Sequence, residues 1–336
     1  MLKAEVMKGV RTSTCLAGIL WVAAGFAAAT EPPQRPEQIL VSLSGENGIG
    51  LIDPADGRRI ATFPANGPHE ITVADKGRRA YVANSGSGPN GTPGEQVTAI
   101  DLATRTARQI SVAPHKQPHD VRVSRDGRLL WVAVAPSRAV VEIDTLTSRI
   151  VRTFDIERDG GWFVVASRDD RQLFVPLLEG KGLVSIDRIT GTSRLVLSGG
   201  AFSGAEISPD GREVWAIEHE TRHINIVGAA SGLTITQVPL DTADFGRLQF
   251  TPDGRRVLVV QGKRLVTYDA AARRQVAALE MPLDGKVIAI SRDGARAAIS
   301  NPADGKVTLI DLARLRITST FDVGSMPDGI AWVDER

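Results

Sequence analysis

The chain has 336 residues, 42% hydrophobic and 24% charged, and its 40 Lys and Arg stand against 39 Asp and Glu for a formal net charge of +1. A balance so close to zero excludes the basic field of a general nucleic-acid binder. A single cysteine excludes a disulfide framework, so any fold must be held by core packing.

The N-terminal stretch has the pattern of an export signal. Lys3, Lys8 and Arg11 are basic, residues 16–26 are apolar, and Ala27-Ala28-Ala29 offers the small residues that a signal peptidase reads. The expectation is a signal peptide over 1–29 and a periplasmic or secreted protein. The apolar run is shorter than the roughly 18 residues a spanning helix needs, so a retained anchor is the second reading and no membrane span is expected after cleavage. Cys15 lies at the start of the apolar run, too early for a lipoprotein site. Cleavage removes three basic residues and one acidic one, leaving a net charge of −1. Residues 30–38, with Pro32, Pro33 and Pro36, read as an extended leader.

From residue 39 onward the chain is made of repeats. The clearest unit runs from Pro118 to Phe154. Residues 118–123 are followed by Asp126-Gly127, then the apolar run 129–134, a break at Pro136-Ser137-Arg138, then 140–143 closing on Asp144, and finally 150–154. Short apolar runs split by Asp-Gly and other turn signals predict four antiparallel strands. The Ile-Asp close recurs at Asp53, Asp101, Asp144, Asp187, Asp269 and Asp311, with Val227 in one place, at steps of 48, 43, 43, 40, 42 and 42 residues. The turn recurs at Gly77, Gly127, Asp170, Gly211, Gly254 and Gly294.

A period near 42 residues with four strands per unit predicts an all-β propeller. Seven third strands are matched by only six turns, because the first unit begins at its second strand. The segment Ser325-Met326-Pro327-Asp328-Gly329-Ile330 matches the missing first strand. The expectation is one seven-bladed domain over 39–336, its first and last blade closed by the C-terminal strand. One connection, residues 85–94, is longer than its counterpart and rich in Gly and Pro, which predicts a looped excursion.

Tyr81-Val82-Ala83-Asn84, residues 97–104 and Ile207-Ser208-Pro209-Asp210-Gly211 resemble the YVTN-type propeller repeat of YncE-like proteins. The resemblance covers about 39–333 and implies the fold, while its motif residues are structural. Val227 and Asp170 depart from the pattern.

Propeller topology sorts the loops onto two faces. The connections between strands 2 and 3, and from strand 4 to the next blade, share a top face. The Asp-Gly turns and the strand 3–4 turns share the opposite turn face. All five histidines, His69, His115, His119, His219 and His223, map to the top. Counting eight residues back from each turn gives a ring at the channel mouth: His69, His119, Trp162, Ser203, Gly246, Lys286 and Asp328. The next ring inward is Glu70, Asp120, Phe163, Gly204, Arg247, Val287 and Gly329, and the one after is uniformly apolar.

The polar rim nominates His69, Glu70, His115, His119, Asp120, Trp162, Arg247, Lys286 and Asp328 as a site for an anionic or aromatic small ligand or a protein partner. Each residue also has a structural reading: strand-end bonding for the histidines, packing for Trp162, ion pairing for Arg247 and Lys286. His219-Glu220-Thr221-Arg222-His223 matches the H-E-x-x-H zinc motif, but that motif needs a helix and here it spans a hairpin. No catalytic residue and no metal ligand is assigned. The expected function is a monomeric binding or scaffold propeller with no cofactor. The alternatives are a lactonase-like hydrolase using His, Glu and Arg at the channel mouth, and a redox accessory holding haem, a quinone or a metal.

Overall fold

A computed structural model describes residues 37–86, 91–242 and 246–333. The expected signal peptide and residues 30–36 of the leader lie outside the described residues, as do 87–90 of the long connection. The described chain forms seven four-stranded antiparallel sheets, numbered here as blades 1 to 7. Blade 1 carries the strands Pro327–Val333, Gln38–Leu43, Gly48–Ile52 and Arg59–Pro64 in that order, so the last strand of the chain lies beside the first. Ile39 pairs with Trp332 and Val41 with Ile330 across this seam. The expected closure and the count of seven are both observed. Among the described residues, helix is limited to four single 3-10 turns.

The reason for a ring is visible in the core. Buried apolar side chains form seven clusters, one at each interface between neighbouring blades. Tyr81 of blade 2 packs with Val132 of blade 3, and Trp332 of blade 1 packs with Ala289 of blade 7. The inner strands are apolar on both faces, so a lone blade would expose one of them. Closing the ring buries all seven interfaces and leaves no open end.

The repeated turn residues are structural, as their motif implies. Ser124 donates its hydroxyl to Asp126 at 2.7 Å and accepts the Leu129 N–H at 2.9 Å, while Asp126 accepts the Arg128 N–H at 3.0 Å. The same pattern recurs at Ser167, Ser208, Thr251 and Ser291. Gly127 sits at φ 74°, in the left-handed region that favours glycine. Asp170 takes that place in blade 4 at φ 58°, and its carboxylate accepts the Arg125 N–H of blade 3 at 3.0 Å. The departure is therefore a second inter-blade bond. The recurring Asp at the end of strand 3 folds its own turn: Asp187 accepts the N–H groups of Ile189 and Thr190, both at 2.9 Å. Val227 cannot do this, and Ser231 accepts the Leu233 N–H in its turn instead.

Candidate functional site: the central channel

The innermost strands set the rings that the turn spacing gives. Bonds between blades link the second ring to the outer one: Glu70 donates its N–H to His119 O at 3.3 Å, and Arg247 donates to Ser203 O at 2.8 Å. In the outer ring Asp328 is the hub. Its carboxylate lies 2.8 Å from His69 Nδ1 and accepts from Lys286 Nζ at 2.9 Å, so blades 7, 1 and 2 are tied together. Burial works to raise the Asp328 carboxyl, but the bond from His69 and the charge of Lys286 win and hold it well below the usual carboxylate range. Gly329 permits this approach, because a Cβ there would lie 2.2 Å from His69 O.

The ring continues by aromatic contact. His69 and His119 stack with centroids 4.3 Å apart and planes inclined by 28°. His119 meets the edges of Trp162 at 5.3 Å and Phe163 at 4.9 Å. Burial, and then the charge of His69, lowers the His119 imidazole well below its ordinary value, which keeps it neutral. Its Nδ1 is buried without a partner. A metal or haem iron held by both imidazoles would require one ring to turn out of this stack. Trp162 donates Nε1 to Glu179 at 3.0 Å.

One level deeper, Arg247 of blade 6 reaches across the axis. Its guanidinium lies 3.8 Å over the Phe163 ring of blade 4 and 3.8 Å from the Glu70 carboxylate of blade 2. Burial raises the Glu70 carboxyl above its ordinary value, with Arg247 opposing. Asp120 is fully buried and acts as a staple: it accepts the N–H groups of Val121 at 2.8 Å and of Val164, in blade 4, at 3.0 Å.

Of the residues nominated from the sequence, the structure brings His69, Lys286 and Asp328 into one ion-paired group, and His119 and Trp162 into one aromatic group. Glu70 and Arg247 form the layer beneath, and Asp120 joins blades 3 and 4. His115 takes no part in the cluster. It is half-buried in the connection into blade 3, its N–H donated to Val112 O at 2.9 Å, and burial lowers its imidazole. His219 and His223 flank a turn between the strands Glu213–Glu218 and His223–Gly228, a hairpin as expected. Among the described residues no group of three His, Cys, Asp or Glu comes together to hold a metal.

Below Glu70, Phe163 and Arg247 lies a cavity of about 510 Å³ that reaches the turns at Lys76, Gly127 and Arg292. Ile71, Leu248, Ile288 and Trp332 form much of its apolar wall. Arg122 and Glu206 also line it, and the sequence reading did not nominate them. They stand one step below the apolar ring, where Thr72, Arg122, Val165, Glu206, Gln249, Ala289 and Ala331 align. A charged residue at the fourth position of an inner strand was the available signal. The charge of Asp120 raises the Arg122 guanidinium, and burial raises the Glu206 carboxyl.

No family model matches the sequence, and no curated protein does. Solved structures do. A protein of unknown function from Desulfotomaculum acetoxidans superposes with a TM-score of 0.76 at 11% identity, over 89% of this chain and 99% of that one. A Bacteroides fragilis protein described as a candidate 6-phosphogluconolactonase gives 0.71 at 12% identity, over 91% and 100%. Hydrazine synthase of Kuenenia stuttgartiensis gives 0.69 at 18% identity, over 79% and 89%. At such identities the likeness shows a shared fold and nothing finer: this chain is a seven-bladed β-propeller.

Proposed function

We propose that this chain is an exported binding propeller that holds a small molecule in its central channel and performs no chemistry on it. One observation carries the reading. Glu70, Phe163 and Arg247 converge at the inner end of a cavity of about 510 Å³, beneath a layer whose charged groups are engaged with each other. A cavity of that size, with part of its wall apolar and several charged groups converging in it, is suited to a small molecule. The ligand therefore belongs with the deeper of the nominated residues, Glu70 and Arg247, and with Phe163, which was not nominated. Export rests on the sequence pattern of residues 1–29.

Native mass spectrometry of the exported protein tests this. A bound small mass is expected, lost in Arg247→Ala and Phe163→Ala variants that still melt cooperatively. A processed chain beginning at Thr30 is expected in the same spectrum. A bound mass that survives both substitutions would remove the channel from the reading.

A hydrolase is the second reading, and the 2.8 Å contact between Asp328 and His69 favours it, because a carboxylate that orients an imidazole is how a general base is built. Its test is a panel of lactones and esters, with wild type against His69→Ala. Turnover indistinguishable between the two removes it.

A further inference from the structure

We infer that the channel takes a small organic anion of the carboxylate class and admits it from the turn face. The inference rests on the reading of the channel as a small-molecule site.

The inner cations have donors to offer. Arg122 donates Nε to Val164 O at 3.1 Å and lies 3.5 Å from Asp120, and among the described residues its two terminal nitrogens make no hydrogen bond. Arg247 donates one terminal nitrogen to Ser203 O, its Nε is buried without a partner, and its other terminal nitrogen comes no nearer than 3.8 Å to Glu70. Two planar guanidinium forks with unmatched N–H groups, both lining one cavity, suit the paired oxygens of a carboxylate.

The mouth has the same sign. Lys76, Arg125 and Arg292 are exposed where the cavity meets the turns; the lining acid at that end, Asp75, is held by Arg79 at 2.5 Å, and Asp126 and Asp293 stand in the same turns without lining the cavity. A basic rim around a low-dielectric cavity concentrates anions and repels amines. The opposite end is stopped by the packed His69, His119, Trp162 and Asp328 layer, so the turn face is the open one. Between the two ends the wall is mixed: Ile71, Leu248, Ile288 and Trp332 offer apolar surface to a small hydrocarbon body, beside Thr72, Arg122, Glu206 and Gln249.

Two carboxyls oppose an anion, Glu70 and Glu206. Glu206 faces Arg122 and Asp120; Glu70 faces Arg247, Arg122, Asp120 and Asp328. Burial raises both, which lowers the cost of protonating either one beside a bound anion.

Titration calorimetry on the full mature chain tests the inference, with acetate, benzoate, benzylamine and benzyl alcohol as probes. Benzoate is expected to bind and benzylamine is not. Glu206→Gln should tighten benzoate about threefold by removing a carboxyl that competes for the charge of Arg122, and the Lys76→Glu/Arg125→Glu pair should weaken it about tenfold. Lys181→Glu, a charge reversal on the top face, should leave it unchanged. Benzylamine binding in place of benzoate, or a weaker Glu206→Gln complex, overturns the anion class and leaves the channel reading standing. A loss in Lys181→Glu equal to that in the mouth variant overturns admission from the turn face. If no probe binds, the channel reading falls and takes the inference with it. Circular-dichroism melts of each variant separate lost binding from lost fold.

Discussion

Asp328 carries its charge where little water reaches it, only 4% exposed, and the Lys286 ammonium and the His69 imidazole from the two flanking blades keep it there. Removing one partner of such a group costs far more than the group itself gains, since the others are left poorly solvated. Asp328→Ala is therefore expected to lose about 3 kcal/mol in urea denaturation. The pH sign follows from its lowered folded-state value. Its contribution is present above the ordinary Asp value of 3.8 and disappears as pH falls through the folded value, so the variant should lose less stability than wild type on acidification. Glu206 behaves oppositely. Burial raises its carboxyl, so the folded state binds the proton more tightly than the unfolded one, and stability declines as pH rises from 4.5 through the raised value. Glu206→Gln should flatten that decline and melt higher than wild type at neutral pH, as scanning calorimetry at pH 4, 5 and 7 (about one unit apart or more) would read.

The strand-to-strand turn is the element that repeats, and its hydroxyl does two jobs. Ser124 is 3% exposed, donates to Asp126 and accepts from the first N–H of the next strand. Ser124→Ala leaves that N–H unmatched inside the blade and should cost about 1–2 kcal/mol, measured by chemical denaturation. Gly127→Ala tests the backbone of the same turn. It forces a side chain into φ 74° and sets a Cβ 2.8 Å from an Asp75 oxygen, for a loss of about 1–2 kcal/mol. Asp170 shows how a blade tolerates a non-glycine there: aspartate enters the left-handed region more readily than most residues, and its carboxylate bonds the neighbouring turn.

At the scale of the molecule, seven equivalent interfaces share the apolar core, and the seam in blade 1 is the one that covalent order leaves open. Trp332 and Ile330 fill the blade 7 to blade 1 cluster, and Trp332 donates Nε1 to Ala289 O at 2.9 Å across it. Removal of residues 326–336 would strip that cluster and expose both the Gln38–Leu43 edge and the face of blade 7. The shortened chain is expected to be recovered insoluble or to lack a cooperative melt, checked by fractionation and circular dichroism. A soluble product melting as the full chain does would contradict closure by this strand. Trp332→Ala is the milder version, with an expected loss of about 3–5 kcal/mol and no change of fold.

The sequence by itself determined the repeat, the blade count and the closing strand. These depend on local signals, apolar runs and turn residues such as Asp126-Gly127, that recur at one spacing and have one way to bury both faces of a sheet. It also aligned the rings, with six inner strands counted from their own turns and the seventh, which carries Asp328, placed by its match to residues 118–123. What it could not decide is which ring residues meet across the axis. Arg247 lies three blades from Glu70 and 177 positions away in the chain, and only the closed ring makes them neighbours over Phe163. The same holds for Lys286, His69 and Asp328, whose mutual pairing turns a polar rim into a stopper. Arg122 and Glu206 sit in strands that read as core, and they become a cavity lining only because seven such strands converge without filling the axis. Local pattern fixes strands and turns, since their partners are near in sequence. A channel is a property of the space between strands, and that space exists only after the ring has closed.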